Sequence, residues 1–247
     1  MRGERRAALI PYLTAGYPTL AASRDALRMV VDAGADFVEV GIPFSDPLAD
    51  GPVIQRSSQV ALDNGMTVRK ALDMIRDLQL PIPVVVFSYL NPVMAYGLER
   101  FAADARAAGA SGLLLTDLPA GEDSAIEQTV REGGLDVIRL IAPTTIGTRL
   151  AEAVRGASGF LYLISRLGVT GARTELDAGA ERMIKRVRAA VSLPLAVGFG
   201  LATAEQARTV ARLADGVVVG SALVERLAQG IEPARALLKE LRAAVAG

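Results

Sequence analysis

The feature that most constrains this chain is an alternation of two periods. Short runs rich in valine, isoleucine and leucine are separated by longer stretches whose apolar residues recur at i, i+3 and i+4. The first pattern is that of a buried strand and the second that of an amphipathic helix, so their regular exchange predicts strand–helix units around a parallel sheet. Eight strands are expected, near 8–13, 37–40, 84–87, 112–115, 137–141, 160–164, 195–198 and 216–219. Helices are expected near 20–33, 66–78, 98–109, 122–133, 147–156, 179–191, 204–213 and 232–245, with a short extra helix after the eighth strand opening near Ser221. Eight units in a chain of 247 residues match the size of a (β/α)8 TIM barrel with parallel strands. The competing doubly wound sheet needs a glycine fingerprint after its first strand, and Leu13-Thr-Ala-Gly-Tyr-Pro is not one. No linker or low-complexity segment interrupts the pattern, so residues 1–247 read as a single TIM-barrel domain.

Composition narrows the chemistry. Lysine plus arginine and aspartate plus glutamate are equal at 27 each, which gives no field to steer nucleic acid or an anionic membrane. No run approaches the ~20 apolar residues of a membrane span, and the arginine-rich start leads into a short apolar segment rather than a cleavable signal. The expected setting is the cytoplasm. The sequence has no cysteine and no histidine, which removes thiolate nucleophiles, most zinc geometries and the commonest acid/base near neutral pH. Neither a metal nor another cofactor is expected. Lys70, Lys185 and Lys239 all lie in stretches with helical periodicity, which disfavours a Schiff-base lysine at the top of a strand. Proton transfer falls to carboxylates, tyrosines or lysines.

The stretch EVGIPFSDPLADGP, residues 39–52, ends the second strand and runs into the loop after it. In a barrel, catalytic groups stand on the loops at the C-terminal ends of the strands. Phe37, Glu39 and Gly41 share one strand face and Val38 and Val40 the other, so Glu39 points into the barrel mouth if the valines face the helices. A carboxyl group there loses hydration, and its pKa rises toward a range useful for acid/base work. The structural alternative is a glutamate paired with an arginine. Asp50 lies on the same loop, stiffened by Pro43, Pro47 and Pro52. Asp46 and Asp50 are candidates for a site, or else turn-forming and helix-capping aspartates.

Glycine turns follow the last three strands: Gly168-Val-Thr-Gly171, Gly198-Phe-Gly200 and Gly220-Ser221. Barrels of this class often build a phosphate site there, from backbone N–H groups and the N-terminus of a short extra helix. Ser221 is expected to cap that helix and touch the phosphate. Tyr12 and Tyr162 sit in aliphatic strands, as core residues or as the walls of a flat aromatic substrate site. Arg166 precedes the glycine pair on the loop after strand six and reads by default as a solvated arginine.

Taken together, the stretch from Glu39 to Pro52, Tyr162-Leu-Ile-Ser-Arg-Leu-Gly-Val-Thr-Gly, Val197-Gly-Phe-Gly and Val219-Gly-Ser resemble the tryptophan synthase alpha chain family, in order and over nearly the whole sequence. The resemblance implies retro-aldol cleavage of indole-3-glycerol phosphate to indole and glyceraldehyde 3-phosphate. Indole would pass to a pyridoxal-phosphate-containing tryptophan synthase beta subunit in an α2β2 hetero-tetramer. It further implies that Glu39 is the acid/base glutamate and Asp50 the aspartate near the indole nitrogen. Gly171, Gly200, Gly220 and Ser221 would contact phosphate, while Tyr12, Tyr162 and Phe199 would line the indole pocket. Arg166 and Thr170 would belong to a mobile loop, and Asp46 would face the beta subunit. The family usually carries a helix ahead of strand one and often a phenylalanine where Tyr12 stands.

The composition fits that chemistry. A retro-aldol step needs an electron sink, and neither a strand-top lysine nor an evident metal site supplies one. Protonation of the substrate's ring carbon C3 would create an indolenine cation that serves instead, so two carboxyl groups suffice. Two other readings share these motifs: a free-standing lyase that releases indole, and a noncatalytic phosphate-binding module that regulates a partner.

Overall fold

The structure, a computed structural model, describes residues 6–119, 122–164, 178–198 and 200–246. Its strands are β1 (Ala8–Thr14), β2 (Val38–Gly41), β3 (Val84–Ser88), β4 (Ala110–Leu115), β5 (Asp136–Ile141), β6 (Leu161–Ile164), β7 (Leu195–Gly198) and β8 (Gly216–Val219). Each pairs in parallel with the next and β8 returns to β1, closing an eight-stranded TIM barrel. The helices are α1 (Leu20–Asp32), α2 (Pro52–Asp63), α3 (Val68–Leu78), α4 (Leu90–Tyr96), α5 (Leu98–Ala107), α6 (Ser124–Glu132), α7 (Gly147–Val154), α8 (Ala178–Ala190), α9 (Ala204–Ala211), α10 (Ser221–Ala228) and α11 (Ile231–Val245).

Strand alternation divides the apolar residues into two cores. Leu9, Leu13, Val38, Val40, Val84, Val86, Val197 and Val217 belong to the layer between barrel and helices. Ile10, Tyr12, Val85, Phe87, Leu114, Ile138, Tyr162, Ala196 and Val218 fill the barrel itself. Ile54 of α2 joins the inner group, so this helix covers part of the barrel.

Two helices were not expected from the sequence. Pro52 reads as a loop stiffener, yet it occupies the first position of α2, where its missing N–H costs nothing and its fixed φ suits the helix. Helix α4 is seven residues long and contains Pro92, too short and too irregular to show a helical period. The extra helix after strand eight is α10. Ser221, however, does not cap it: Gly220 is the N-cap residue, no side chain caps the end, and Ser221 is the first helical residue. Gly220 has no side chain to offer, and a serine one position inside the helix lies past the cap geometry.

The helix layer also contains a buried ion pair. Arg139, on the outer face of β5, meets the Glu127 carboxylate of α6. The same guanidinium donates to the carbonyls of Glu152, Ala153 and Arg155 at 2.9, 2.9 and 2.7 Å, which satisfies the last turn of α7. One side chain therefore joins β5, α6 and α7.

Candidate functional site

Glu39 is the inward residue of β2, in register between Tyr12 of β1 and Val85 of β3, both members of the inner core. It is 0% exposed. Neither carboxyl oxygen has a hydrogen-bond partner among the described residues. Burial alone pushes its pKa from 4.5 up to about 8, so the group is a neutral acid at pH 7. The arginine pairing that a structural glutamate would need is not formed among those residues.

Asp50 stands on the loop between β2 and α2, one residue before the Gly51 N-cap. The loop is fixed by its own backbone, with Asp50 N–H donating to Pro47 C=O at 3.0 Å, and by Gln55 Nε2 donating to the Asp50 carbonyl at 3.0 Å. Tyr89, just past the end of β3, holds it from the other side. Its hydroxyl accepts from Ala49 N–H at 2.9 Å and donates to Asp50 Oδ2 at 3.1 Å. Burial raises the Asp50 pKa to about 6, against the lowering effect of the Tyr89 hydrogen bond. The Tyr89 ring also packs on Phe44 of the loop, centroids 5.3 Å apart. Sequence reading passed over Tyr89, although its place at the C-terminal end of a barrel strand is the signal that would have found it.

Tyr12 and Tyr162 are buried in the inner core, and each leans across the next strand onto a glycine. A Cβ on Gly41 of β2 would fall 2.1 Å from Tyr12 Oη, and one on Gly198 of β7 would fall 2.3 Å from Tyr162 Oη. The two glycines thus make room for two phenol groups at the mouth. Burial is the main cause that raises both phenol pKa values, with Glu39 and Asp50 adding to it in each case. The Tyr12 ring meets Phe87 edge-on, centroids 5.2 Å apart.

Gly200 has φ +79, a left-handed conformation that favours glycine. Gly220 packs near Tyr12, since a Cβ there would lie 3.6 Å from Tyr12 Cβ. Exposed Ser221 opens α10, whose first turn presents the N–H groups of a helix N-terminus. Asp46 is exposed and accepts a hydrogen bond from the Ser45 hydroxyl. Arg166, Thr170, Gly171 and Phe199 lie outside the described residues. The structure therefore brings Glu39, Asp50, Tyr12, Tyr162 and Gly220 together at the C-terminal end of the barrel and leaves Asp46 on the outer surface of its loop.

A closed parallel barrel whose mouth carries a neutral buried carboxyl, a second carboxyl held by a tyrosine, and glycine turns beside a helix start defines a (β/α)8-barrel protein equipped for acid/base chemistry on a small molecule. Residues 1–246 match the family model described as tryptophan synthase alpha chain, and the chain belongs to that family. It is similar to the tryptophan synthase alpha chain of Geobacter sulfurreducens, at 47% identity over 91% of this chain and 86% of that one. Similarity to the alpha chain of Synechococcus elongatus is 44% identity over 99% and 94%. Among solved structures, that of Mycobacterium tuberculosis tryptophan synthase superposes with a TM-score of 0.93 at 42% identity, covering 100% of this chain and 95% of that one. The tryptophan synthase alpha subunit of Legionella pneumophila gives a TM-score of 0.91 at 36% identity, covering 99% and 94%.

Proposed function

We propose that this chain is the alpha subunit of a tryptophan synthase, a carbon–carbon lyase that cleaves indole-3-glycerol phosphate to indole and glyceraldehyde 3-phosphate. The observation that carries the mechanism is the buried Glu39 carboxyl, neutral at pH 7, beside an Asp50 that ionises about two pH units lower. Glu39 gives its proton to ring carbon C3, and the ring becomes an indolenine cation. The ionised Asp50 lies at the ring N–H and stabilises the positive charge that develops there. The Glu39 carboxylate then takes the proton of the adjacent side-chain hydroxyl. As that hydroxyl becomes the aldehyde, the bond from C3 to the side chain breaks and its electron pair neutralises the cation. Protons and electrons balance, and Glu39 ends as the acid it began as.

Phosphate is held by Gly200, Gly220, Ser221 and Gly171, with Tyr12, Tyr162 and Phe199 around the indole and Arg166 and Thr170 on a loop that closes over it. The anion preference of the α10 N-terminus supports the first assignment, and the buried phenol walls support the second. Residues 1–247 act as one barrel domain, and indole passes to a beta subunit within an α2β2 assembly in the cytoplasm. The β2–α2 loop supports such a partner: Leu48, beside Asp46, is 91% exposed on a backbone held rigidly by Tyr89 and Gln55. Among the described residues no helix is long and apolar enough to cross a membrane. The test follows indole release from indole-3-glycerol phosphate by the purified chain, with and without a beta subunit. Release that rises on adding the beta chain is expected; no release under either condition overturns the proposal.

A further inference from the structure

Tyr12 joins the two ends of the site. Its Cβ lies against Gly220, at the end proposed to hold phosphate, and its hydroxyl lies on Gly41, two residues beyond Glu39 on the same face of β2. Tyr12 Oη lies 3.5 Å from Thr14 Oγ1, and Thr14 is itself held by Ser57 of α2, oxygen to oxygen 2.7 Å. Ser57 is anchored by donating to the Ile54 carbonyl at 2.9 Å. A hydroxyl carries one hydrogen, and Ser57 spends its own on Ile54, so Thr14 donates to Ser57; Tyr12 is left with only the 3.5 Å contact to Thr14, too long to hold its hydrogen firmly, and that hydrogen is available to a closer acceptor. The titratable groups around it are Glu39, Asp50 and Tyr89, with Tyr162 across the mouth. Glu39, by contrast, has no donor among the described residues while it is protonated.

From this juxtaposition we infer that Tyr12 is a positioning residue for Glu39: its phenol supplies the hydrogen bond that the Glu39 carboxylate accepts once its proton has gone to the substrate. Residues i and i+2 of a strand are about 7 Å apart, and a glutamate side chain turning about χ2 and χ3 spans much of that distance. The phenol already sits over residue i+2, and Tyr12 and Glu39 are register partners across β1 and β2. Because the bond forms with the charged state, it makes the proton transfer more favourable without strengthening substrate binding. The role belongs to the hydroxyl and not to the ring.

The inference rests on the cleavage reading for its rate effect but not for its electrostatics, and the experiment separates the two. In Tyr12→Phe the ring remains and the donor is lost. Removing a hydrogen bond to a charged group is expected to lower kcat about tenfold or more, with KM within about twofold. The infrared band of the protonated Glu39 carboxyl, assigned by its disappearance in Glu39→Gln, is followed against pH in both proteins. Its midpoint is expected to rise by about one pH unit in Tyr12→Phe. An unchanged or lowered midpoint overturns the inference, as does a loss confined to KM. If the unaltered chain, supplied with a beta subunit, forms no indole, the cleavage reading falls, while the infrared midpoint still judges the Tyr12–Glu39 bond.

Discussion

Replacing Glu39 by glutamine tests the electrostatic state of the site without reference to activity. The carboxyl is fully buried with no partner among the described residues, and its pKa stands at about 8 against 4.5 in an exposed chain. Below pH 4.5 the group is protonated in both folded and unfolded protein, so its ionisation contributes nothing to stability. Between 4.5 and about 8 the unfolded chain loses the proton and the folded one keeps it, so folded protein binds more protons and stability falls as pH rises. Above about 8 the loss is complete. At ~1.4 kcal/mol for each tenfold change, the full gap amounts to about 5 kcal/mol and the part reached by pH 7 to about 3 kcal/mol. Glutamine has nearly the same shape and cannot ionise. The difference in stability, variant minus wild type, is therefore expected to be small and constant near pH 4.5. Relative to that baseline it should grow in favour of the variant by about 3 kcal/mol at pH 7 and by about 5 kcal/mol above pH 8. Urea melts of both proteins through this range measure it. Asp50 also titrates here, at about 6, but it does so in both proteins and drops out of the difference to first order. A difference that stays flat from pH 5 to 9, or that shrinks as pH rises, refutes the argument that Glu39 is held neutral by burial.

Three further outcomes follow from the same geometry. On the proposed mechanism catalysis needs Asp50 ionised and Glu39 protonated, so kcat/KM is expected to follow a bell with limbs near pH 6 and pH 8; Asp50→Asn should remove the acid limb and lower the maximum by orders of magnitude. Tyr89→Phe deletes the donor to Asp50 Oδ2, so the acid limb should move to higher pH and kcat/KM at pH 7 should fall several-fold, as a pH–rate series would show. Arg139→Met leaves the buried Glu127 carboxylate with only the part-exposed Arg131 as partner, at 3.0 Å, and the last turn of α7 without its donors. A stability loss of about 3 kcal/mol, the lower end for a broken buried pair because Arg131 stays, is expected in denaturant melts, with early proteolysis near residue 155.

How far the sequence discloses such a site depends on the range of each signal. Glu39 faces the barrel interior because strand faces alternate every residue, and the valines on either side already mark the other face. Such a period needs only a handful of neighbouring residues, which is why the eight strands and the inward glutamate were legible. Helix α2 was not, because Pro52 carries the same meaning in a rigid loop and at the first turn of a helix. The misplaced cap at Ser221 is an error of one residue, decided by whether backbone or side chain turns the chain at Gly220.

The contacts that set the chemistry join residues far apart in the chain. Tyr89 reaches Asp50 across 39 positions, and Ser57 reaches Thr14 across 43. The fit of Tyr12 onto Gly41 needs two strands in register, which exists only after β1 and β2 have paired. Desolvation has the same origin. Val85 and Tyr12 bury Glu39 from adjacent strands, and none of the three is unusual in its own segment. A pKa of about 8 on one carboxyl and about 6 on the other is thus a property of barrel closure rather than of the acidic loop alone. It follows that a substitution that loosens the β1–β2–β3 edge, even without touching a carboxyl, should draw both limbs of the pH profile toward ordinary carboxylate values before it unfolds the protein.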